Sequence, residues 1–233
     1  MQLKSEERLI VALDVDNLKD AEKLVNQLKD YVTIFKVGAQ LFTAAGPEAV
    51  KMVHDKGGKV FLDLKYHDIP NTVVSATKIV AKIGIFMFTI HTLGGKEMMQ
   101  GVVKTLAQFQ PKPLVIGVTI LTSLDSDVLE EIGIEKDLND EVITLTRLAK
   151  SSGLDGVVAS SHEIKAIRTE CGQDFIIVTP GIRPAGILDD QKRIATAKQA
   201  IDSGANFIVV GRPIIAAENP IKVVKQIRDE ITV

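Results

Sequence analysis

The stretch Asp63-Leu64-Lys65-Tyr66-His67-Asp68-Ile69-Pro70-Asn71-Thr72 packs two acids and a lysine into six residues, directly after the largely apolar run Lys59-Val60-Phe61-Leu62. The run reads as a buried strand, and charged side chains are costly to bury unless they are paired. Strand side chains alternate, so Asp63 and Lys65 point to the same side. Asp68 lies just beyond the strand, where a loop can turn it back toward them. A dry cluster of alternating charge adds little to stability and suits catalysis.

Outward from this stretch, short β-rich apolar runs alternate with helical patterns from end to end. Strands are predicted at residues 9–15, 34–38, 60–64, 86–91, 114–120, 156–160, 175–180 and 207–211. Between them lie segments with helical spacing; residues 18–28 place Ala21, Leu24, Val25 and Leu28 on one face. Residues 95–109, 140–152, 162–170, 190–203 and 220–231 read similarly, and Gly153, Gly172 and Gly204 suit helix C-caps.

Eight strand–helix pairs predict a single-domain (β/α)8 TIM barrel over residues 1–233, with a doubly wound sheet as the competing architecture. No composition shift or linker marks a domain boundary. Polar residues gather at the C-terminal ends of many strands: Asp14, Lys36, Asp63 with Lys65, His91, Thr119, Ser160, Arg183 and Arg212. A barrel brings those ends to one mouth, whereas an open sheet spreads them along an edge.

The bulk composition narrows the function classes. The chain is 45% hydrophobic and 25% charged, an ordinary balance for a folded soluble protein. A net charge of −2 argues against nucleic-acid or membrane-surface binding and leaves room for a local basic pocket for a small anion. Cys171, the single cysteine, has no partner for an internal disulfide or a metal site and fits a reducing compartment. The charged N-terminus leads into a strand-like run without a secretory core, and the longest apolar stretch, residues 83–90, is too short to span a bilayer. The chain therefore reads as cytoplasmic.

Several residues are candidates for chemistry. Lys36, in Ile34-Phe35-Lys36-Val37-Gly38, either snorkels to water from a strand end or points inward, where Asp63 is its natural partner. Asp14 either caps the helix starting near Leu18 or is free to meet a sugar hydroxyl; Asp16 and Asn17 are better placed to cap. Thr179-Pro180-Gly181-Ile182-Arg183-Pro184 and Gly211-Arg212-Pro213 follow the seventh and eighth strands. In barrels those loops commonly hold a phosphate, with glycine admitting the anion to the backbone and arginine supplying a forked donor. Taken singly, each is also an ordinary turn. His54 and His162 read as solvated helix residues, His67 as a packing or hydrogen-bonding residue, and His91 as a wall of the mouth. No His, Asp, Glu or Cys set has metal-ligand spacing, and no nucleophile–base pair is evident.

The segment from Val60 to Thr72 resembles the signature of the orotidine 5′-phosphate decarboxylase family, bacterial type. The resemblance extends over nearly the whole chain through Val11-Ala12-Leu13-Asp14, Phe35-Lys36-Val37-Gly38, His91-Thr92-Leu93-Gly94-Gly95, Leu121-Thr122-Ser123, Thr179-Pro180-Gly181-Ile182-Arg183, Asp190-Gln191-Lys192-Arg193 and Val209-Val210-Gly211-Arg212. Two departures stand out: Thr92 replaces a smaller residue such as alanine, and the loop over residues 183–191 is short for the bacterial type.

The resemblance implies decarboxylation of orotidine 5′-phosphate to uridine 5′-phosphate, the last step of pyrimidine synthesis, without metal or cofactor. It implies that Lys65 donates the proton to C6 and that Lys36, Asp63 and Lys65 form a charged array. Asp68 of a second subunit would complete that array, in a homodimer with active sites at the interface. Asp14 and Lys36 would hold the ribose with Thr72 from the partner subunit, Thr122 would meet the pyrimidine edge, and Arg183, Gln191, Gly211 and Arg212 would hold the phosphate. Two alternatives are a Mg2+-dependent sugar-phosphate decarboxylase or aldol-type synthase of the same barrel group, and a non-catalytic phosphate-binding barrel. The first shares the Asp-x-Lys-x-x-Asp motif, but Ile69-Pro70-Asn71-Thr72 follows here where that branch is expected to carry small residues and a metal-binding glutamate.

Overall fold

The computed structural model describes residues 5–183 and 195–232. Among the described residues eight parallel strands close into a barrel in chain order: β1 (Leu9–Ala12), β2 (Ile34–Gly38), β3 (Lys59–Tyr66), β4 (Met87–His91), β5 (Leu114–Val118), β6 (Gly156–Val158), β7 (Ile176–Thr179) and β8 (Phe207–Val210). β8 pairs back onto β1, so the barrel expectation holds over the open sheet. Closure leaves no strand edge unpaired, and every strand is covered on both faces.

The alternation of strand side chains lets one run feed two cores. Ile10, Ile34, Phe61, Met87, Ile116, Ile176 and Phe207 fill the barrel interior. Their chain neighbours Val11, Phe35, Val60, Leu62, Phe88, Ile177 and Ile208 pack outward into the layer shared with the helices. This double burial is why the strand runs are so uniformly apolar.

Five strands stop short of the sequence prediction. β1, β5, β6, β7 and β8 leave the ladder at Ala12, Val118, Val158, Thr179 and Val210, and Asp14, Arg183, Gly211 and Arg212 lie on the loops that follow β1, β7 and β8 at the mouth. β3 instead runs on to Tyr66, which pairs with Ile90 beyond an irregularity in the ladder.

The helix Leu18–Leu28 forms as predicted; Asn17 caps it, its side chain accepting from the Asp20 N–H, and Ala21, Val25 and Leu28 are buried. The sequence reading did not delimit the helices Ala39–Ala45, Pro47–Asp55 and Pro70–Lys82. The last starts with Pro70 at its first turn, where no N–H is needed, and buries Val73, Thr77 and Val80. Its β-branched run Thr72-Val73-Val74 weakens the helical signal, and packing on the barrel overrides it. Among the described residues no helix is long and apolar enough to cross a membrane.

Candidate active site

Asp14, Lys36, Asp63, Lys65, Thr122, Arg183, Gly211 and Arg212 line one cavity of about 230 Å³ at the C-terminal mouth of the barrel. They come from the ends of β1, β2 and β3 and the loops after β5, β7 and β8. The apolar floor is supplied by Ala12, Phe61, Val158, Val178 and Val209, so a ligand here meets charge from the walls and hydrocarbon from below.

The charged walls form a line of alternating sign. Lys36 Nζ lies 2.8 Å from Asp14 Oδ1 and 3.8 Å from Asp63 Oδ2, and Lys65 Nζ lies 3.0 Å from Asp63 Oδ1. Lys36 therefore points inward, with its side chain only 11% exposed. Its shorter bond goes to Asp14, and Asp63 is the more distant of its two acids. Asp14 is thus a member of the array and not a helix cap. Asp16 instead accepts from Gln40 Nε2 at 2.7 Å. Gly38 leaves room for the pair: a Cβ there would stand 2.8 Å from Lys36 Nζ. Lys36 and Asp63 are the two largely buried charges, at 11% and 13% exposed, and their burial is tolerable because each has an opposite charge within contact distance, while Asp14 and Lys65 reach toward solvent.

Simple alternation does not account for the meeting of Asp63 and Lys65. Between the paired residues Leu62↔Phe88 and Tyr66↔Ile90, β3 carries Asp63, Leu64 and Lys65 where β4 carries Thr89 alone. Lys65 takes a left-handed backbone conformation, with φ of 50°, and is the one non-glycine to do so among the described residues. An unbranched residue pays on the order of 1 kcal/mol for this. Two extra residues preserve the in–out parity of the strand, so Tyr66 still packs with the outer layer. Thr89, fully buried, links the bulge: its hydroxyl accepts from the Lys65 N–H at 2.9 Å and donates to Asp63 Oδ1 at 3.0 Å. The sequence reading missed Thr89; its signal was a lone hydroxyl at an inward position of Met87-Phe88-Thr89-Ile90.

Arg183 is 5% exposed and donates from Nη1 to the Ile182 carbonyl at 2.9 Å. With Gly211 and Arg212 it forms the cationic side of the cavity, across loops that follow neighbouring strands. Gln191 lies outside the described residues, as does most of the 183–191 loop.

Asp68 and Thr72 do not join this cavity in their own chain. Both are exposed, and the Asp68 carboxylate accepts from the Ile69 N–H at 2.6 Å. Thr119 and Ser160, counted from sequence among the mouth residues, are buried away from the cavity, Thr119 donating to the Val158 carbonyl at 3.4 Å. His91 ends β4 and stacks on His67, ring centroids 5.2 Å apart. Burial holds its imidazole below the usual histidine pKa, and the charges of His67 and Lys65 add to the shift. His54 is partly buried on the helix Pro47–Asp55, and burial lowers its pKa too, so it is less solvated than its sequence setting implies. Among the described residues no group of three or more His, Cys, Asp or Glu is arranged to hold a metal ion.

Comparison with known proteins places the whole chain beside one family. The family model described as orotidine 5′-phosphate decarboxylase / HUMPS family matches residues 7–227. An orotidine 5′-phosphate decarboxylase of Moorella thermoacetica is 47% identical, covering 99% of this chain and 94% of its own. One from Geotalea daltonii is 50% identical over 96% of this chain and 95% of its own. The crystal structure of orotidine 5′-phosphate decarboxylase from Lactobacillus acidophilus superposes with a TM-score of 0.85 at 39% identity, covering 97% of this chain and all of that one (100%).

Proposed function

This chain belongs to the orotidine 5′-phosphate decarboxylase / HUMPS family, and from that premise we propose that it converts orotidine 5′-phosphate to uridine 5′-phosphate as the last step of pyrimidine synthesis. The enzyme is a carboxy-lyase, and the whole chain is one catalytic barrel acting in the cytoplasm. The observation that carries the reading is the line Asp14–Lys36–Asp63–Lys65 in the same cavity as Arg183, Gly211 and Arg212.

In this reading Arg183, Gly211, Arg212 and Gln191 hold the phosphate, Asp14 and Lys36 the ribose, and Thr122 the pyrimidine edge. The bond between C6 and the carboxylate breaks heterolytically; CO2 leaves and the electron pair stays on C6, in the ring plane, where the π system delocalises it poorly. Lys65 Nζ then gives a proton to C6 and recovers one from solvent. Fixed charge, with no metal or organic cofactor, stabilises the carbanion. An ammonium about 4 Å from a unit negative charge contributes on the order of 4 kcal/mol at an effective dielectric near 20, or about three powers of ten in rate. Lys65 is therefore one contributor among several. Asp63 crowds the substrate carboxylate, a repulsion that vanishes as CO2 departs. Binding energy from the remote phosphate positions the ring against the array.

Asp68 and Thr72 serve the site of a second subunit in a homodimer. Their exposure supports this, as does Ile69 between them, an apolar side chain left 67% exposed.

The test is to mix chelator-treated protein with orotidine 5′-phosphate and follow the pyrimidine absorbance. Turnover is expected, and Lys65→Ala should lower kcat by about a thousandfold or more while retaining affinity for uridine 5′-phosphate. No turnover by folded protein would overturn the reading in favour of a phosphate-binding barrel. Activity restored only by Mg2+ would favour the metal-dependent sugar-phosphate branch.

A further inference from the structure

We propose that Thr89 is a positioning residue for the decarboxylation, holding both the left-handed turn at Lys65 and the orientation of the Asp63 carboxylate; this rests on the function proposed above. The bulge of β3 places three residues opposite one, and within it the Lys65 N–H meets a side chain of β4. Thr89 Oγ1 takes that N–H at 2.9 Å. A backbone N–H can only donate, so the hydroxyl oxygen is the acceptor and its single hydrogen goes to Asp63 Oδ1, 3.0 Å away. The direction of the relay is thereby fixed.

Two consequences reach the reacting groups. Asp63 Oδ1 receives both the Thr89 hydroxyl and Lys65 Nζ, each at 3.0 Å, which leaves Oδ2 turned toward Lys36 at 3.8 Å. The carboxylate cannot rotate without losing a donor. The Lys65 backbone is tied at the residue with φ of 50°, so its side chain leaves the strand toward the cavity from a fixed origin. Thr89 is 0% exposed and does not line the cavity, so it acts on substrate only through Asp63 and Lys65. A branched side chain suits this task, because its χ1 is restricted.

The experiment compares wild type with Thr89→Val, which keeps the volume and removes the hydroxyl, and with the pair Thr89→Ser and Thr89→Ala, which differ by the hydroxyl alone. Orotidine 5′-phosphate turnover and uridine 5′-phosphate affinity are measured for each, with thermal melts to confirm folding. Thr89→Val and Thr89→Ala are expected to lose kcat by about tenfold to a hundredfold, with KM and nucleotide affinity within about threefold of wild type. Thr89→Ser is expected to stay within about threefold of wild type in kcat. Equal kcat in the Ser and Ala variants would overturn the proposal, even if the Val variant does not fold. A parallel loss of kcat and nucleotide affinity would also overturn it, since that is a collapsed site. Wild-type protein without turnover would instead sink the function on which the proposal rests.

Discussion

Replacing Lys36 with methionine removes the cation that bridges two acids and keeps most of the hydrocarbon stem. At an effective dielectric near 20, the contact of 2.8 Å to Asp14 corresponds to about 6 kcal/mol of Coulomb attraction and that of 3.8 Å to Asp63 to about 4 kcal/mol. Most of this is offset by the desolvation of the ammonium, and breaking a buried pair costs about 3–5 kcal/mol net. The lower end applies here, because Asp14 is 41% exposed and Asp63 keeps Lys65 at 3.0 Å. The expected loss is thus about 3 kcal/mol, which for a chain of 233 residues lowers Tm by about 6–12 °C. Urea and thermal unfolding at one protein concentration would measure it. The coupling is read from Asp14→Asn alone and combined with Lys36→Met. In the Asp14→Asn background the Lys36 change should cost about 1–2 kcal/mol less. A loss below about 1 kcal/mol, equal in both backgrounds, would mean that the ammonium reaches solvent and that the array is not held as described.

If Asp68 serves the partner subunit's site, Lys65→Ala and Asp68→Asn should complement each other: mixed in equal amounts and allowed to exchange, two nearly inactive variants recover about a quarter of wild-type activity. An inactive mixture that exchanges subunits would refute the shared site. His91 gives a pH dependence. Its folded pKa is depressed, so between that value and the unfolded one near pH 6.5 the unfolded chain binds more protons and stability falls as pH falls. Melting temperature should drop from about pH 7.5 to about pH 5.5, less steeply in His91→Gln, with His54 contributing the residual slope. An identical slope in the variant would contradict this. Arg168 donates to the carbonyls of Gly172, Phe175 and Gly204 and to Asn206 Oδ1, below the N-terminal ends of β7 and β8. Arg168→Met removes the donor from these carbonyls, while Asn206 Oδ1 keeps the Ile177 N–H at 2.8 Å, and should cost about 3 kcal/mol or more in unfolding experiments while leaving KM unchanged; unaltered stability would show the contacts to be dispensable.

The sequence alone determined the architecture and most of the charged site. Eight apolar runs separated by helical spacing are legible because burial on two faces leaves a strong compositional trace at Leu9–Ala12 or Ile34–Gly38. Lys36, Asp63 and Lys65 are legible because charge inside such runs is anomalous. The tertiary structure decided what depends on register. Lys36 bonds first to Asp14, since Ala12↔Lys36 pairing brings the ends of β1 and β2 side by side. Asp63 and Lys65 meet across a bulge and not along a regular strand, and Thr89 holds them. Thr89 looked like any strand threonine, because a hydroxyl has no charge to betray its burial and its partners lie 24 and 26 residues away in the chain. Asp68 was legible as a charge, but its outward position in the folded chain follows from where β3 ends and the helix Pro70–Lys82 begins. Residue types report what must be paired; only the closed barrel, by fixing which strand ends are neighbours, decides with whom.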